Sequence, residues 1–301
     1  MQGSDLHDVP WSTAAVTLPV PAHPASPTWS RFLQRRAAVV SLALALSVTL
    51  AALFAPVIAP YDPGTNDFEA VLAPPLTHGH FLGTDELGRD LLSRIIWGAR
   101  ASMQAGVLST LLGLIVAVPI GLTAGYYRGW WESVAMRLTD TLLAFPFLII
   151  AVGLAAILGP SLVNATLAIG IVQVPKIVRV TRAEALSIRE ESYVEAAIAA
   201  GASDWAILIR HALPNMTSTL IVQATVILPI AIIAESSLSF LGLGVQPPTP
   251  SWGVMLTAAQ SYMTQMPWLA ILPGLAIFVA TLSFNLVGDG VRDAFDPKGL
   301  R

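Results

Sequence analysis

The chain has no cysteine. Disulfides, thiolate metal sites and cysteine nucleophiles are therefore excluded, while the compartment is left open. Charge is also scarce: Asp, Glu, Lys and Arg make up 12% of the 301 residues, against roughly 25% in ordinary soluble domains. The net charge of −3 implies no strongly anionic partner such as nucleic acid. A phosphate-cradling Gly-x-x-x-x-Gly-Lys-Ser/Thr loop is missing, so any nucleotide hydrolysis belongs to another chain. A Gly-x-Ser-x-Gly nucleophile elbow is missing too, which leaves an intramembrane hydrolase without its machinery.

In place of charge there is apolar length. Hydrophobic residues reach 54%, and mean hydropathy is +0.68. A bilayer core about 30 Å thick needs roughly 20 apolar residues per helix. Six runs qualify: residues 37–59, 102–126, 134–158, 162–180, 217–241 and 268–287. Such runs are too long and continuous for barrel strands, and only helices or closed barrels satisfy a backbone in lipid. The expectation is an all-α membrane protein with six transmembrane helices.

Lys and Arg set the orientation. Arg31, Arg35 and Arg36 precede the first run, and Arg292, Lys298 and Arg301 follow the last. Arg128, Arg137, Lys176, Arg179, Arg182, Arg189 and Arg210 are expected in the intervening loops on the same side. Both termini are thus expected in the cytoplasm. The first run is longer than a secretory signal core and lies behind a 30-residue tail, so it is expected to be retained as a span. That tail, residues 1–30, is rich in Pro, Ser and Thr and is expected to be disordered.

Residues 31–60 then carry the first span, and 61–100 form an external segment. Tyr61-Asp62-Pro63-Gly64 is a turn composition. From Asp90 onward, Leu91, Leu92, Ile95, Ile96 and Ala99 recur near 3.6 spacing, which predicts an amphipathic helix along the membrane surface. His78 and His80 flank Gly79. Without further ligands nearby they read as solvated loop histidines rather than a metal site. Residues 101–301 hold the other five spans. Pro119, Pro146, Pro175, Pro229 and Pro273 lie within apolar runs, either as kinks shaping a cavity or as ordinary membrane-helix prolines.

One long polar segment, residues 182–215, interrupts these five. Glu190 to Ala200 favours helix, and Gly201 stops it. Ser203 can cap a second helix with Asp204 in its first turn, and Trp205, Leu208 and Ile209 give that helix an apolar face. Pro214 marks the start of the next span. The segment therefore predicts two short helices standing off the membrane, with Ala196, Ala197, Ala199 and Ala200 leaving one surface small enough for close approach.

The pattern Glu195-Ala196-Ala197, three residues, Gly201, nine residues, His211-Ala212-Leu213-Pro214 resembles the EAA loop of ABC importer permeases, departing only at His211, where the pattern has isoleucine. Further stretches resemble the C-type subunit of the dipeptide/oligopeptide/nickel permease family: residues 55–63, the run Leu82-Gly83-Thr84-Asp85-Glu86-Leu87-Gly88-Arg89-Asp90, residues 235–242 and residues 288–297.

The resemblance implies the type I importer permease fold in a bacterial inner membrane. It implies that Glu195, Ala196, Ala197, Gly201, Leu213 and Pro214 couple to a separate ATPase. ATP and Mg would sit on that partner, and this chain itself would bind no cofactor. The implied partners are a B-type permease, two ATPase subunits or one fused ATPase, and an extracytoplasmic substrate-binding protein. Di- or oligopeptides are the implied cargo, with nickel or another small solute as alternatives. An ATP-independent transporter would show ionisable residues through several spans or a filter-like repeat, and neither is evident. Asp140 and Glu235 are the carboxylates at or within spans. For Asp140 an end-of-helix carboxylate beside Arg137 is favoured over a path-lining role. Glu235 is expected at an interface or cavity.

Overall fold

The computed structural model describes residues 36–77 and 79–295. Within these residues there is no β-strand, only isolated bridges pairing Thr77 with His80 and Thr84 with Asp90. Among the described residues five helices are long and apolar enough to cross a membrane, six if one bent pair counts as a single span.

In chain order these are α1 (Arg36–Leu53) with a short continuation α2 (Ala55–Ile58), α3 (Leu91–Tyr127), the bent pair α4 (Gly129–Leu143) and α5 (Phe147–Leu158), and α6 (Leu162–Arg189). Short helices α7 (Ser192–Ala199), α8 (Asp204–Ala206) and α9 (Leu213–Asn215) follow, with a π-helical turn Ile207–Ala212 between the last two. Then come α10 (Thr217–Phe240), α11 (Trp252–Ala259) and α12 (Trp268–Phe295).

Three expectations change. The first apolar run breaks at Phe54, because Pro56 in the first turn of α2 supplies no N–H to the preceding turn. The third run is bent by 91° where α4 meets α5, at Pro146. The amphipathic stretch after Asp90 is not a separate surface helix. It continues without interruption into the second span, giving α3 37 residues and a length of about 55 Å. Its inward residues Leu91, Ser93, Arg94, Gly98 and Ala99 are buried in protein.

Small residues bring α3 and α6 together. A Cβ added to Gly113, Gly121 or Gly125 would lie 3.3, 2.7 or 2.6 Å from the carbonyl oxygens of Gly170, Val178 or Arg182. The constant offset of these pairs means that the helices run parallel and in register. Close approach through small residues is how membrane helices gain dispersion contact where no hydrophobic drive operates. Helix α10 packs antiparallel on α3, with Leu228 and Ile232 against Gly106. At one end of the bundle Ala38 of α1 clusters with Ala294 of α12, and Gly288 of α12 meets Thr225 near the start of α10. The end of α3, the starts of α1 and α10 and the end of α12 therefore share one end of the bundle.

At the opposite end, residues 59–77 and 79–90 form a lobe built on polar contacts. Asp90 caps α3 by accepting from the Ser93 N–H at 2.7 Å, and its other oxygen lies 2.9 Å from His80 Nδ1. His80 is therefore buried, 5% exposed, and the expectation of a solvated loop histidine fails for it. His78 lies outside the described residues. Asp85 is shared by Arg89 at 2.7 Å and by Arg94 at 3.2 Å, and Arg94 also donates to the Pro63 carbonyl. Gly88 has φ +75°, and a Cβ there would fall 1.8 Å from the Asp67 carbonyl oxygen, so only glycine closes this turn. Trp252 of α11, 2% exposed, packs on Gly98 and donates from Nε1 to the Ile95 carbonyl at 3.0 Å, joining α11 to α3.

Candidate functional site: a braced interhelical knob

The polar segment after α6 folds into a knob at the end of the bundle shared by the starts of α1 and α10. Helix α7 ends in a Schellman arrangement. The Gly201 N–H donates to the Ile198 carbonyl at 2.9 Å and the Ala202 N–H to the Ala197 carbonyl at 3.0 Å, with Gly201 at φ +82°. Nothing lies within 4 Å of a Cβ built on Gly201, so its requirement is backbone conformation and not space. Ser203 caps the following helix by accepting from the Ala206 N–H at 3.3 Å.

Pro214 then shapes the return to α10. It has no N–H for the Arg210 carbonyl, and its ring would crowd that group in a regular helix. The backbone widens instead into the π-turn Ile207–Ala212, where the Leu213 N–H reaches the Leu208 carbonyl. Asn215 Nδ2 donates to the His211 carbonyl at 2.6 Å. π-Turns are rare and concentrate at functional sites.

The knob divides into an anchored underside and an open top. Val194, Ile207, Leu208, Ala212 and Met216 are buried against Leu122 and Tyr126 of α3 and Ala185 and Ile188 of α6. Leu213 is half-buried and packs on that cluster. Outward stand Glu195, Ala196, Gly201 and Pro214, with Ala197 half-buried. Around them Tyr193, Ile198, Trp205 and Ile209 are 41%, 48%, 70% and 40% exposed. Burial, and secondarily the charge of Glu191, raises the Tyr193 phenol above its ordinary value, so it stays a neutral donor near neutral pH. Exposed aromatic side chains such as Tyr193 and Trp205 are of the kind enriched at protein–protein contacts.

A polar contact ties the knob to α3, and others tie α3, α4 and α6 to one another beneath it. The Tyr126 hydroxyl donates to Asp204 at 2.8 Å, and Arg189 donates to the Tyr126 carbonyl while its guanidinium lies 5.3 Å from the ring centroid. Arg128 pairs with Glu190 at 2.6 Å, and Arg182 Nε donates to Glu132 at 2.8 Å. None of these partners was identified from sequence. They are 50 to 78 residues apart along the chain, so local periodicity carries no trace of them.

The two span carboxylates do not join this site. Asp140 pairs with Arg179 at 2.6 Å and not with Arg137, because α4 packs along α6. Glu235 lies in α10 at 0% exposure, enclosed by this chain instead of lining a cavity or surface. It accepts from Ser102 of α3 at 2.6 Å and from Ser239 at 2.7 Å, because facing serines in α3 and α10 supply the donors that a buried carboxylate needs. Among the described residues no three His, Asp or Glu side chains converge as a metal site.

Comparison with known proteins agrees with this architecture. Residues 117–300 match the family model of binding-protein-dependent transport system inner membrane components. Residues 24–75 match the N-terminal TM domain of oligopeptide transport permease C. The chain is 44% identical over 298 residues to a di/tripeptide transport system permease protein of Pseudomonas aeruginosa, covering 97% of both. It is 43% identical over 271 residues to a glutathione transport system permease protein of Pectobacterium atrosepticum, covering 90% of both. In fold it is similar to a chain of the inward-facing MetNI methionine ABC transporter, with a TM-score of 0.52 at 18% identity, covering 66% of this chain and 96% of that one. The chain therefore belongs to the binding-protein-dependent transport system inner membrane components, as a multi-pass permease subunit of an ABC importer.

Proposed function

We propose that this chain forms half of the membrane path of a peptide importer and converts closure of a separate ATPase into movement of that path through its knob. The observation that carries the reading is the contrast within the knob. Its underside is fixed to α3 and α6 by a buried cluster and the Tyr126–Asp204 hydrogen bond, while Glu195, Ala196 and Gly201 stand exposed on top. A partner that grips the top moves α3 and α6 with it. Ala197, Leu213 and Pro214 hold the shape of that grip. Glu195 supplies the charged contact and the small residues admit a partner backbone.

In this reading a B-type permease completes the path, and two ATPase subunits, or one fused ATPase, bind ATP and Mg and carry out the hydrolysis. An extracytoplasmic binding protein delivers the cargo, and the knob and both chain termini face the cytoplasm. Di- and oligopeptides, glutathione among them, are the cargo suggested by what the similar permeases are named for. ATP acts by favouring one of two states of the path through differential contact with the knob.

The test is co-purification from native membranes in mild detergent. Two ATPases, a second permease and a binding protein are expected with the wild-type chain, and the ATPases are expected to be lost from the Glu195→Arg, Gly201→Asp variant. Retention of the ATPases by that variant would remove the knob from its coupling role.

A further inference from the structure

The face shared by α4 and the second half of α6 carries charge that nothing else in the fold explains. Arg137, Asp140, Lys176 and Arg179 are all exposed there. Asp140 and Arg179 pair with each other at 2.6 Å while remaining 63% and 56% exposed. Arg137 and Lys176 have no ion-pair partner among the described residues. Three cations thus face outward with one carboxylate.

The α3–α6 register fixes their depth. Val178 stands level with Gly121 and Arg182 with Gly125, so Lys176 stands level with Pro119. Tyr127 and Trp130, both exposed, stand where α3 gives way to α4, in the manner of an aromatic belt at a membrane boundary. Pro119 lies seven residues before Tyr126, so Lys176 stands about 10 Å above that belt and Arg179 about 6 Å above it. One turn deeper on α6, Gln173 is 4% exposed with neither amide atom hydrogen-bonded.

A long Lys or Arg side chain alone could reach the boundary by snorkelling. An aspartate cannot, and an open Asp–Arg pair gains nothing from hydrocarbon. Intramembrane ionisable groups face bundle interiors or water-filled cavities. The side of α6 opposite Lys176 is apolar, with Leu167 39% exposed.

We propose that Arg137, Asp140, Lys176 and Arg179 line a water-filled part of the path, and that the unpaired Arg137 and Lys176 bind the carboxylate of the passing solute. The excess of positive charge concentrates anions in a low-dielectric cleft. Arg137 on α4 and Lys176 on α6 flank the Asp140–Arg179 pair, and each offers a carboxylate charge-assisted donors. Asp140 holds Arg179 in place and keeps the stripe from becoming a trap. The carboxylate part of this inference rests on the peptide reading above; the water-facing part does not.

The absence of native cysteine makes the first test direct. In the assembled complex in proteoliposomes, Lys176→Cys and Arg137→Cys should react with a charged, membrane-impermeant thiol reagent at least about tenfold faster than Leu167→Cys. Equal, slow labelling would put the face against lipid or protein and overturn the proposal. The second test compares uptake of a dipeptide with that of its C-terminal amide. The Arg137→Gln, Lys176→Met variant should lose the wild-type preference for the free acid by about tenfold, the loss of roughly 1.4 kcal/mol of binding. An unchanged ratio would overturn the carboxylate role, and failure of the variant to assemble would make the face a subunit contact instead. A wild-type complex that takes up neither compound would count against the peptide reading, while the labelling result would still decide whether the face meets water.

Discussion

Gly88 and Gly201 both have positive φ, yet they should respond differently to substitution. At Gly88 an added Cβ meets the Asp67 backbone, which cannot swing aside. Gly88→Ala should cost several kcal/mol and sharply reduce recovery of folded protein from membranes. At Gly201 the space is open, so Gly201→Ala pays only left-handed strain, about 1–2 kcal/mol. Asn tolerates that conformation better than Ala. ATPase retention on the purified complex should therefore rank Gly, then Asn, then Ala at position 201. Equal loss with Asn and Ala would show that the partner needs an absent side chain there, and not a turn.

The same residue-scale logic applies to Glu235. Its carboxylate receives serine hydroxyls in an enclosed site, so Glu235→Leu strands those hydroxyls. That variant should lower the thermal midpoint in detergent by more than Glu235→Gln, which keeps an acceptor; the difference should reflect about 1–3 kcal/mol for buried polar groups left unpaired. Identical midpoints would mean that the serines find other partners.

Among the elements, the α3–α6 seam is the most sensitive to volume. Gly121→Leu adds a side chain where a Cβ already falls 2.7 Å from both the Val178 carbonyl oxygen and Thr181 Cβ. It should force the helices apart and abolish monodisperse behaviour on size exclusion. Gly153→Leu on α5, with nothing within 4 Å, should leave the elution profile unchanged.

The seam was not legible in the sequence, although its glycines are in plain view. Register between helices 57 residues apart depends on which faces meet, and hydropathy does not encode that. The prolines make the same point. Pro119, Pro175, Pro229 and Pro273 sit inside continuous helices, while Pro146 stands at the 91° bend. Local chemistry is the same at all five; the surrounding packing decides which one breaks the helix.

For the whole molecule, the broad outcome was legible and the bracing was not. Apolar runs announced the spans because lipid imposes length on any helix that crosses it. The knob could be read from Gly201, Ser203 and Pro214 because caps and breakers act over a few residues. His80 was misread for the opposite reason: its partners Asp90 and Asp67 come together only when the lobe folds. The brace from Tyr126 to Asp204 and the pair of Arg182 with Glu132 are likewise tertiary. Charge reversal can test the latter. Glu132→Arg should loosen α4 from α6 and lower the thermal midpoint in detergent, and Glu132→Arg combined with Arg182→Glu should restore part of it. No recovery in the double variant would mean that the pair does not carry the brace.

Helix α3 runs unbroken from its Asp90 cap in the polar lobe to Tyr126 beneath the knob. Mechanically it is one stiff rod fastened at both ends. A rod about 55 Å long that pivots by 5° at the knob sweeps its far tip through about 5 Å, more than the width of a water molecule. No hinge is needed between the two ends. A small rotation imposed on the knob would therefore become a large stroke at the lobe, and stiffening or bending this one helix would change that gain.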